Sequence, residues 1–323
     1  MSDSYGADTS FIQAFREHGN MISLQYRVKQ RKENLLYLSV LSEWQNIVSI
    51  SASTRFIAGL KSDGTVVTVG DTNKSKRKTE DWHGIIDVVT ASFHIVGLKS
   101  DGTVVSTENK KDGRGKTSDW KDIVDIAAGA FHTVGLKSDG TVITVGWNDN
   151  GRCDTKDWRD IIAITACSQR TVGLRSNGTV IAVGYVEDYT DDIYYQQCET
   201  EDWQDIVSVA AGEQHTVGVR KDGTVIAIGD NRSGQCNTKD WQDIVSVAAG
   251  VQHTVGLKSN GTVVATGDNN NGQCDINDWQ DIIAISCGCY GIAGLKTDGT
   301  VIEQGIFSTK YDLDEDYTLS FTK

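Results

Sequence analysis

Short apolar runs separated by glycine-rich turns fill the chain from residue 44 to residue 306. In the unit that begins at Trp203, the runs 206–209, 215–219 and 224–228 are rich in β-branched residues, which is typical of strands. From residue 44 to residue 279, no ten-residue window with a 3.6-residue apolar period is free of glycine and turn signals, so helices are not expected there. The pattern predicts a small antiparallel meander of three strands per unit, and a fourth short strand stays open.

This unit occurs seven times, and a turn glycine and a tryptophan recur at the same position in each copy. Each copy has an Asp-Gly-Thr or Asn-Gly-Thr turn, and successive turn glycines are 38, 38, 38, 45, 38 and 38 residues apart. Sheets this small cannot bury their faces alone, so the repeat predicts an all-β, seven-bladed β-propeller of three- to four-stranded antiparallel blades. A β-solenoid is the weaker alternative, because its coils are usually shorter and lack hairpin turns. The turn glycines are Gly64, Gly102, Gly140, Gly178, Gly223, Gly261 and Gly299, and the tryptophans in phase with them are Trp44, Trp82, Trp120, Trp158, Trp203, Trp241 and Trp279.

The Asp-Gly turn predicts a tight hairpin between the second and third strands, because both residues tolerate a positive φ. Asn replaces Asp at Asn177 and Asn260, which the same preference allows. Strand direction alternates in a meander, so the loops after the first and third strands emerge together on one face of the ring, called the loop face here. The Asp-Gly-Thr turns emerge on the opposite face, called the turn face.

The repeat also sets the expected domain boundaries. Residues 1–35 form an N-terminal extension, and residues 36–323 form the propeller. Tyr317 lies one period after the last repeat tryptophan, so we expect residues 317–323, or a strand near residues 36–41, to supply the closing edge of the ring.

The N-terminal extension has its own local patterns. Thr9 fits a helix cap before a short apolar group, and residues 22–28 alternate like a strand. Two roles stay open for it: it covers the ring, or it presents a partner site.

Three copies share a further string between the first and second strands. Residues 126–136 read IAAGAFHTVGL, residues 209–219 read VAAGEQHTVGV, and residues 247–257 read VAAGVQHTVGL. With the Gly-Asp-Asn-x-x-Gly-Gln pattern that follows, this resembles the signature of the regulator-of-chromosome-condensation repeat family over roughly residues 44–316. The resemblance implies a seven-bladed propeller. The unit length is similar to that of bacterial members, including propeller-type secreted β-lactamase inhibitors.

Composition narrows the classes of partner. The net charge is −13 and the pI is near 4.9, so the cationic surface that nucleic-acid binding requires is not expected. There is no apolar run of 18 residues and no signal-peptide pattern at the N-terminus, so we expect a cytoplasmic protein without membrane contact. A monomer is expected.

Histidines and cysteines recur at fixed positions, and we interpret both as structural. Blade symmetry would spread the imidazoles around the axis instead of gathering them on one ion, so hydrogen bonds between neighbouring backbones are expected. Equivalent cysteines one blade apart are too distant for a disulfide, and Cys287 and Cys289 are expected to alternate across one strand. The equivalent histidines are His94, His132, His215 and His253, and the equivalent cysteines are Cys153, Cys198, Cys236 and Cys274.

Two charged positions also recur: a Lys or Arg before each turn, and an Asp two residues after most tryptophans. We interpret them as weak inter-strand pairs that favour solubility. No catalytic triad, paired-carboxylate site, phosphate loop or zinc spacing stands out, so no enzyme, catalytic residue, metal or cofactor is expected. The Asp residues are Asp122, Asp160, Asp205, Asp243 and Asp281, with Asn46 and Gly84 in the remaining copies.

Candidate binding residues are those that depart from the repeat on the loop face. Trp147 stands where other copies have Asp, and Phe93, Phe131 and Tyr290 are the aromatic residues of the first loops. The 45-residue step adds an acidic, tyrosine-rich insert that contains Tyr185, Asp188, Tyr189, Asp191, Tyr194 and Tyr195. Aromatic residues rimmed by acids are typical of protein-binding hot spots, so we expect a protein partner with a basic surface. The β-lactamase inhibitors of the family are similar in this use of loop-face aromatics.

Three functions are consistent with these patterns. The favoured hypothesis is a non-catalytic propeller that binds, and thereby inhibits or regulates, a partner protein. The second is a guanine-nucleotide exchange factor for a small GTPase, which the resemblance to eukaryotic members implies. The third is a lectin-like propeller, which would require several equivalent aromatic pockets around the ring.

Overall fold

The computed structural model describes residues 40–306 apart from Ser42, Arg55 and the ranges 71–77, 108–112 and 185–196. The expected closing edge at residues 317–323, most of the alternative edge at 36–41, and the extension at 1–35 lie outside the described residues. Within the described part of the chain there is no helix with the length and apolar character needed to cross a membrane.

The described residues form 21 strands in seven sheets, each an antiparallel meander of three consecutive strands. No fourth strand joins any of these sheets within the described ranges. Blades 1 to 3 contain β1 (Ile47–Ala52), β2 (Phe56–Lys61) and β3 (Val66–Gly70); β4 (Ile85–Thr90), β5 (Ile95–Lys99) and β6 (Val104–Ser106); β7 (Ile123–Ala128), β8 (His132–Lys137) and β9 (Val142–Gly146). Blades 4 and 5 contain β10 (Ile161–Cys167), β11 (Arg170–Arg175) and β12 (Val180–Val183); β13 (Ile206–Ala211), β14 (His215–Arg220) and β15 (Val225–Gly229). Blades 6 and 7 contain β16 (Ile244–Ala249), β17 (His253–Lys258) and β18 (Val263–Gly267); β19 (Ile282–Cys287), β20 (Tyr290–Lys296) and β21 (Val301–Ile306).

The seven sheets close into a ring. The first strand of every blade contacts the first strand of the next, in the order β1, β4, β7, β10, β13, β16 and β19, and β19 contacts β1 again. The first strands therefore surround the axis, and the third strands lie at the rim. This arrangement confirms the seven-bladed propeller that the repeat predicts.

The hydrophobic core lies between blades, where each blade packs against its neighbour. Trp120 is 3 % exposed and packs with Ile123 of its own blade and with Val96 and Leu98 of the preceding blade. Its indole lies on the β8 strand at Gly135, where a Cβ would come within 2.7 Å of the indole Cζ3. The same packing joins blade 7 to blade 1, because Leu41 and Trp44 belong to one buried cluster with Leu295 and Val301.

The turn between the second and third strands differs from the sequence prediction. Lys61 N donates to Thr65 O at 2.9 Å, which gives a three-residue loop, and only Gly64 has a positive φ, of 78°. Asp is favoured at position 63 by the hydrogen bonds of its side chain and not by a positive φ. The Asp63 Oδ1 atom accepts hydrogen bonds from Thr65 N at 2.9 Å and from Thr65 Oγ1 at 2.6 Å. All seven turns repeat this bond, and the Asn residues of blades 4 and 6 form it through their amide oxygens.

The Asp position after each tryptophan also has a structural cause that the charge-pairing interpretation missed. Asp122 has a φ of 60°, and the equivalent residues of every blade share this left-handed conformation. Asp, Asn and Gly tolerate that conformation best, which explains why Asn46 and Gly84 replace Asp in two blades. The residue also precedes a β-bulge, because Ile123 pairs with Lys137 while Asp125 pairs with Leu136. The interpretation of these Asp residues as inter-strand charge pairs was wrong.

We expect Asp122→Val to lower the free energy of unfolding by about 1–2 kcal/mol, since a β-branched residue is strained in the left-handed region. Asp122→Asn, which removes the same charge, is expected to change it by less than about 0.5 kcal/mol. Urea unfolding of both variants measures the difference. Equal losses in the two variants would show that the charge, not the backbone, selects the Asp.

Candidate functional site: the aromatic cluster of the loop face

The loops after the first and third strands meet on one face, as strand parity predicts. Trp147 N, just after β9, donates to Phe131 O in the β7–β8 loop at 3.0 Å. Asp230 N donates to Gln214 O at 2.9 Å in the same way in blade 5. In blades 3 and 5 a backbone hydrogen bond therefore joins the two loops of the loop face.

Three of the predicted residues form a continuous aromatic cluster over blades 2 and 3. The Phe93 and Phe131 ring centroids are 5.6 Å apart with tilted planes, and the Phe131 and Trp147 centroids are 5.1 Å apart with the rings stacked at 15°. Phe93 and Phe131 are partly buried, whereas Trp147 remains 40 % exposed. We call Phe93, Phe131 and Trp147 the aromatic cluster.

Two buried arginines support the aromatic cluster from below. The Arg114 guanidinium lies 5.1 Å from the Phe93 centroid and 5.5 Å from the Phe131 centroid, and its Nη1 donates to Ala130 O at 2.6 Å. Arg152 lies 5.7 Å from the Phe131 centroid and donates from Nε to Asn150 Oδ1 and from Nη1 to Ser168 O. Burial lowers the pKa of Arg114 to about 10, so both side chains remain cations at neutral pH. These cation–π contacts fix the ring positions.

Sequence reasoning missed the two arginines, although a signal was present. They occupy the repeat position that holds Gln197, Gln235 and Gln273 in blades 4 to 6. Arginine replaces glutamine only beside the aromatic residues, and that coincidence marks the site.

The loop that carries Trp147 is held by its own side chains. Asn148 Oδ1 accepts from Cys153 N at 2.7 Å, and Asn148 Nδ2 donates to Asp154 Oδ1 at 2.8 Å. Cys153 Sγ also donates to Trp147 O at 3.5 Å. Trp147 is therefore presented from an ordered turn, which reduces the entropy that a partner must overcome on binding.

The structure separates Tyr290 from this cluster. Tyr290 lies in β20 of blade 7, so blade 1 stands between it and the blade of Phe93. The other predicted residues, Tyr185, Asp188, Tyr189, Asp191, Tyr194 and Tyr195, lie outside the described residues.

Both described ends of the insert nevertheless lie near the cluster. A Cβ at Gly184, just before the insert, would lie 3.1 Å from Arg152 Cα. Cys198 Sγ, just after the insert, donates to Gly184 O at 3.0 Å. The insert therefore begins and ends beside the arginine that supports Phe131.

The recurring histidines form a buried lattice that joins neighbouring blades. His132 Nε2 lies 2.8 Å from Thr171 Oγ1 of the next blade, and that hydroxyl donates to Arg152 O at 2.7 Å. Because the threonine proton is used there, His132 Nε2 must carry a proton and donate. Burial is the main reason that the pKa values of His94, His132 and His215 fall to about 3, so the rings are neutral at pH 7.

This lattice bears out the structural interpretation of the histidines, with one correction: the acceptor is a threonine side chain of the next blade and not its backbone. His94 and His215 make the same contact, to Thr133 and Thr254. His253 lacks it because Ile292 stands at the threonine position.

The seven cysteines are free thiols. Cys236 Sγ donates to Asp230 O at 3.3 Å, and Cys153, Cys198 and Cys274 make equivalent bonds. Burial raises the pKa of the Cys236 and Cys274 thiols to about 11, which makes them poor nucleophiles. Cys289 lies in the loop after β19, so the expected alternation with Cys287 along one strand was wrong.

A cavity of about 100 Å³ opens on the axis at the loop face, lined by the small residues of the first loops. Sites for organic ligands usually have volumes of about 300–1,000 Å³. This cavity is too small for a sugar.

Comparisons with known proteins agree with this architecture. A family model described as the regulator of chromosome condensation (RCC1) repeat matches residues 123–152, 206–235 and 244–273, which belong to blades 3, 5 and 6. No curated protein sequence matches the chain significantly.

Solved structures share the fold at low sequence identity. The ectodomain of the Physcomitrella patens receptor kinase CR4 is 18 % identical with a TM-score of 0.65, over 80 % of this chain and 74 % of that chain. The CRINKLY WD40 ectodomain of the Arabidopsis thaliana receptor kinase ACR4 is 19 % identical with a TM-score of 0.62, over 80 % and 95 %. Prp20p from Saccharomyces cerevisiae is 16 % identical with a TM-score of 0.57, over 82 % and 83 %. The chain is therefore a seven-bladed β-propeller in which the repeats of blades 3, 5 and 6 match the RCC1 repeat model.

Proposed function

We propose that this propeller is a non-catalytic protein that binds a partner protein through the aromatic cluster of its loop face. Trp147 carries the proposal. Among the described residues it is the only large hydrophobic side chain exposed on that face, and it is stacked on Phe131 in an ordered loop. Exposed, preorganised tryptophans over a packed base are typical of binding hot spots.

The surroundings of the cluster favour a protein partner over a small ligand. The described aromatic cluster is confined to blades 2 and 3 and is not repeated around the ring, as equivalent sugar sites would be. The tyrosine-rich insert begins and ends beside Arg152. Its acidic residues favour a partner with a basic surface, while the buried arginines hold the rings. Among the structural neighbours, Prp20p is described with binding properties to Gsp1p and histones, so this fold does serve protein binding elsewhere.

Affinity capture from the native host, followed by titration of the purified partner, tests this function. We expect Trp147→Ala to weaken binding by about 30-fold or more, as loss of a hot-spot residue of about 2 kcal/mol does. Trp147→Phe should retain part of the affinity because it keeps a stacked ring.

The matched control is Gln204→Ala, an exposed position on the turn face, which should bind as the wild type does. A partner that binds wild type and Trp147→Ala equally well would refute the proposed site.

A further inference from the structure

The turn face carries a second exposed apolar surface, separate from the aromatic cluster. One Val or Ile per blade is 49–56 % exposed at the same repeat position. With Trp147 they are all the exposed large hydrophobic residues of the described chain. We call them the apolar ring: Val48, Ile86, Val124, Ile162, Val207, Val245 and Ile283.

The apolar ring surrounds the axis at the turn face. Each member is the second residue of the first strand of its blade, at the β-bulge, and the first strands contact one another in a circle. Ile85 N donates to Gly64 O at 3.1 Å, so Ile86 stands beside the turn of the preceding blade. Seven such residues form one patch, whereas exposed hydrophobic residues scattered singly need no explanation.

Charged residues surround this ring: a Lys or Arg pairs across the bulge at every ring member, and carboxylates outnumber the cations of the turn face. The surrounding segments are the turns, from the Lys or Arg to the glycine, and the six residues that end at each left-handed position. They hold 19 Asp and Glu residues against 12 Lys and Arg residues. The Thr65 hydroxyl and its N–H hold the pKa of Asp63 below its usual value, and the Asp residues of the equivalent turns behave alike. The turn face therefore offers apolar contacts inside an anionic border.

The N-terminal part of the chain enters the propeller at this same face. Leu41 packs with Val301, the first residue of the rim strand β21, directly after the turn of blade 7. Two strand spacings, about 10 Å, separate a rim strand from a first strand. Residues 33–40 are eight residues, and an extended chain of that length spans about 26 Å. This reach exceeds the distance from the rim strand to the first strand, so the chain before residue 33 can reach the apolar ring.

The sequence of this N-terminal part complements the ring. Residues 11–32 contain Phe11, Phe15, Ile22 and Leu24 among other apolar residues. They also hold five Lys and Arg residues and one Glu, in a chain whose net charge is −13. An apolar segment with a positive surplus matches an apolar ring with a carboxylate border.

We propose that residues 11–32 bind the apolar ring of the same molecule and cover the turn-face end of the axis. A second copy of the ring is a poorer occupant, because two anionic borders would repel each other. This inference does not depend on the loop-face function, since the two surfaces lie on opposite faces.

Photo-cross-linking in the full-length protein tests it. A benzophenone amino acid replaces Val124 or Val245, which lie on well-separated blades, and cross-linked peptides are identified by mass spectrometry. We expect most cross-links to join residues 11–32 within one monomer. The triple variant Lys29→Glu, Arg31→Glu and Lys32→Glu should lower that yield at least five-fold, and 1 M salt should lower it as well.

The matched control places the same amino acid at Asp149, an exposed position of the loop face, and should give no cross-link to residues 11–32. Cross-links to a second copy, seen as a dimer, would overturn the proposal. So would the absence of any cross-link to residues 11–32, or equal yields from Val124 and Asp149.

Discussion

Replacing Trp120 with alanine is expected to lower the free energy of unfolding by about 3–5 kcal/mol, the usual cost of removing a fully buried aromatic side chain. The indole is 3 % exposed and fills the space between blades 2 and 3, against Val96, Leu98 and Ile126. Its loss would leave a cavity between two sheets that have no other means of covering these faces. Urea unfolding at pH 7 measures the change. Trp147→Ala is the matched control, because that residue is 40 % exposed and should cost less than about 1 kcal/mol.

A double-mutant cycle tests whether the Trp120–Gly135 contact is the cause. Gly135→Val alone should also be strongly destabilising, since its Cβ would approach the indole to 2.7 Å and β8 has no room to move. In the double variant the valine can enter the space left by the indole. The combined loss should therefore be smaller than the sum of the single losses by at least about 1 kcal/mol. Strictly additive losses would contradict the packing described here.

Acid is expected to destabilise the propeller because of the buried histidine lattice. His94, His132 and His215 have pKa values of about 3 and His253 of about 4, whereas an unfolded histidine titrates near its model value of 6.5. Below pH 6.5 the unfolded chain binds more protons than the folded one, so stability falls as the pH falls toward 4. From pH 7 to pH 4 each histidine lowers the free energy of unfolding by about 3 kcal/mol.

Buried carboxyl groups act in the opposite direction over part of this range, and Asp87, whose pKa burial also raises, is one of them. Burial raises the pKa of Asp125, with a further contribution from the charge of Asp87, and burial alone raises that of Glu303, both to about 7. The folded protein binds protons at Asp125 and Glu303 at a higher pH than the unfolded chain does. These two groups together therefore raise the free energy of unfolding by about 6 kcal/mol between pH 7 and pH 4. The loss from the four histidines exceeds this gain, so the net expectation is a fall in the free energy of unfolding from pH 7 to pH 4.

Urea midpoints at pH 7, 5.5 and 4 measure this loss. His132→Gln provides the control, because an amide N–H can still reach Thr171 but cannot titrate. Its stability should depend less on pH than that of the wild type, by about 3 kcal/mol over the same range. Equal midpoints at pH 7 and pH 4 in the wild type would show that the histidines are not buried as neutral groups.

The candidate site was predicted only in part from the sequence. Trp147 was found because it breaks the Asp pattern of its repeat position, and its proximity to Phe93 and Phe131 follows from the alternation of strand direction. Tyr290 is a first-loop aromatic residue like Phe93 and Phe131, but it belongs to the seventh repeat, so blade 1 separates it from the blade of Phe93. Arg114 and Arg152 were not predicted as site residues, because these cations are buried beneath the aromatic rings.

On the turn face, the apolar ring was not identified from the sequence as an exposed surface. A face that is uniform between copies is typical of a scaffold, yet the apolar ring is itself uniform and exposed. Val124 follows Asp122 by two residues in a run that reads like any buried strand. Only the bulge, which offsets the pairing of Ile123 and Asp125, turns this side chain out of the core.

The sequence by itself determined the number of blades, at least three strands in each and the face on which each loop emerges. Those properties are local and periodic, and the Asp/Asn-Gly-Thr turn and the in-phase tryptophan mark them in every copy. The tertiary structure decided which repeated residues bond across blades and which remain exposed. His132 bonds to Thr171, and Trp120 packs on Leu98, because neighbouring sheets bring together residues that are distant in sequence. No periodicity within one unit can specify such contacts.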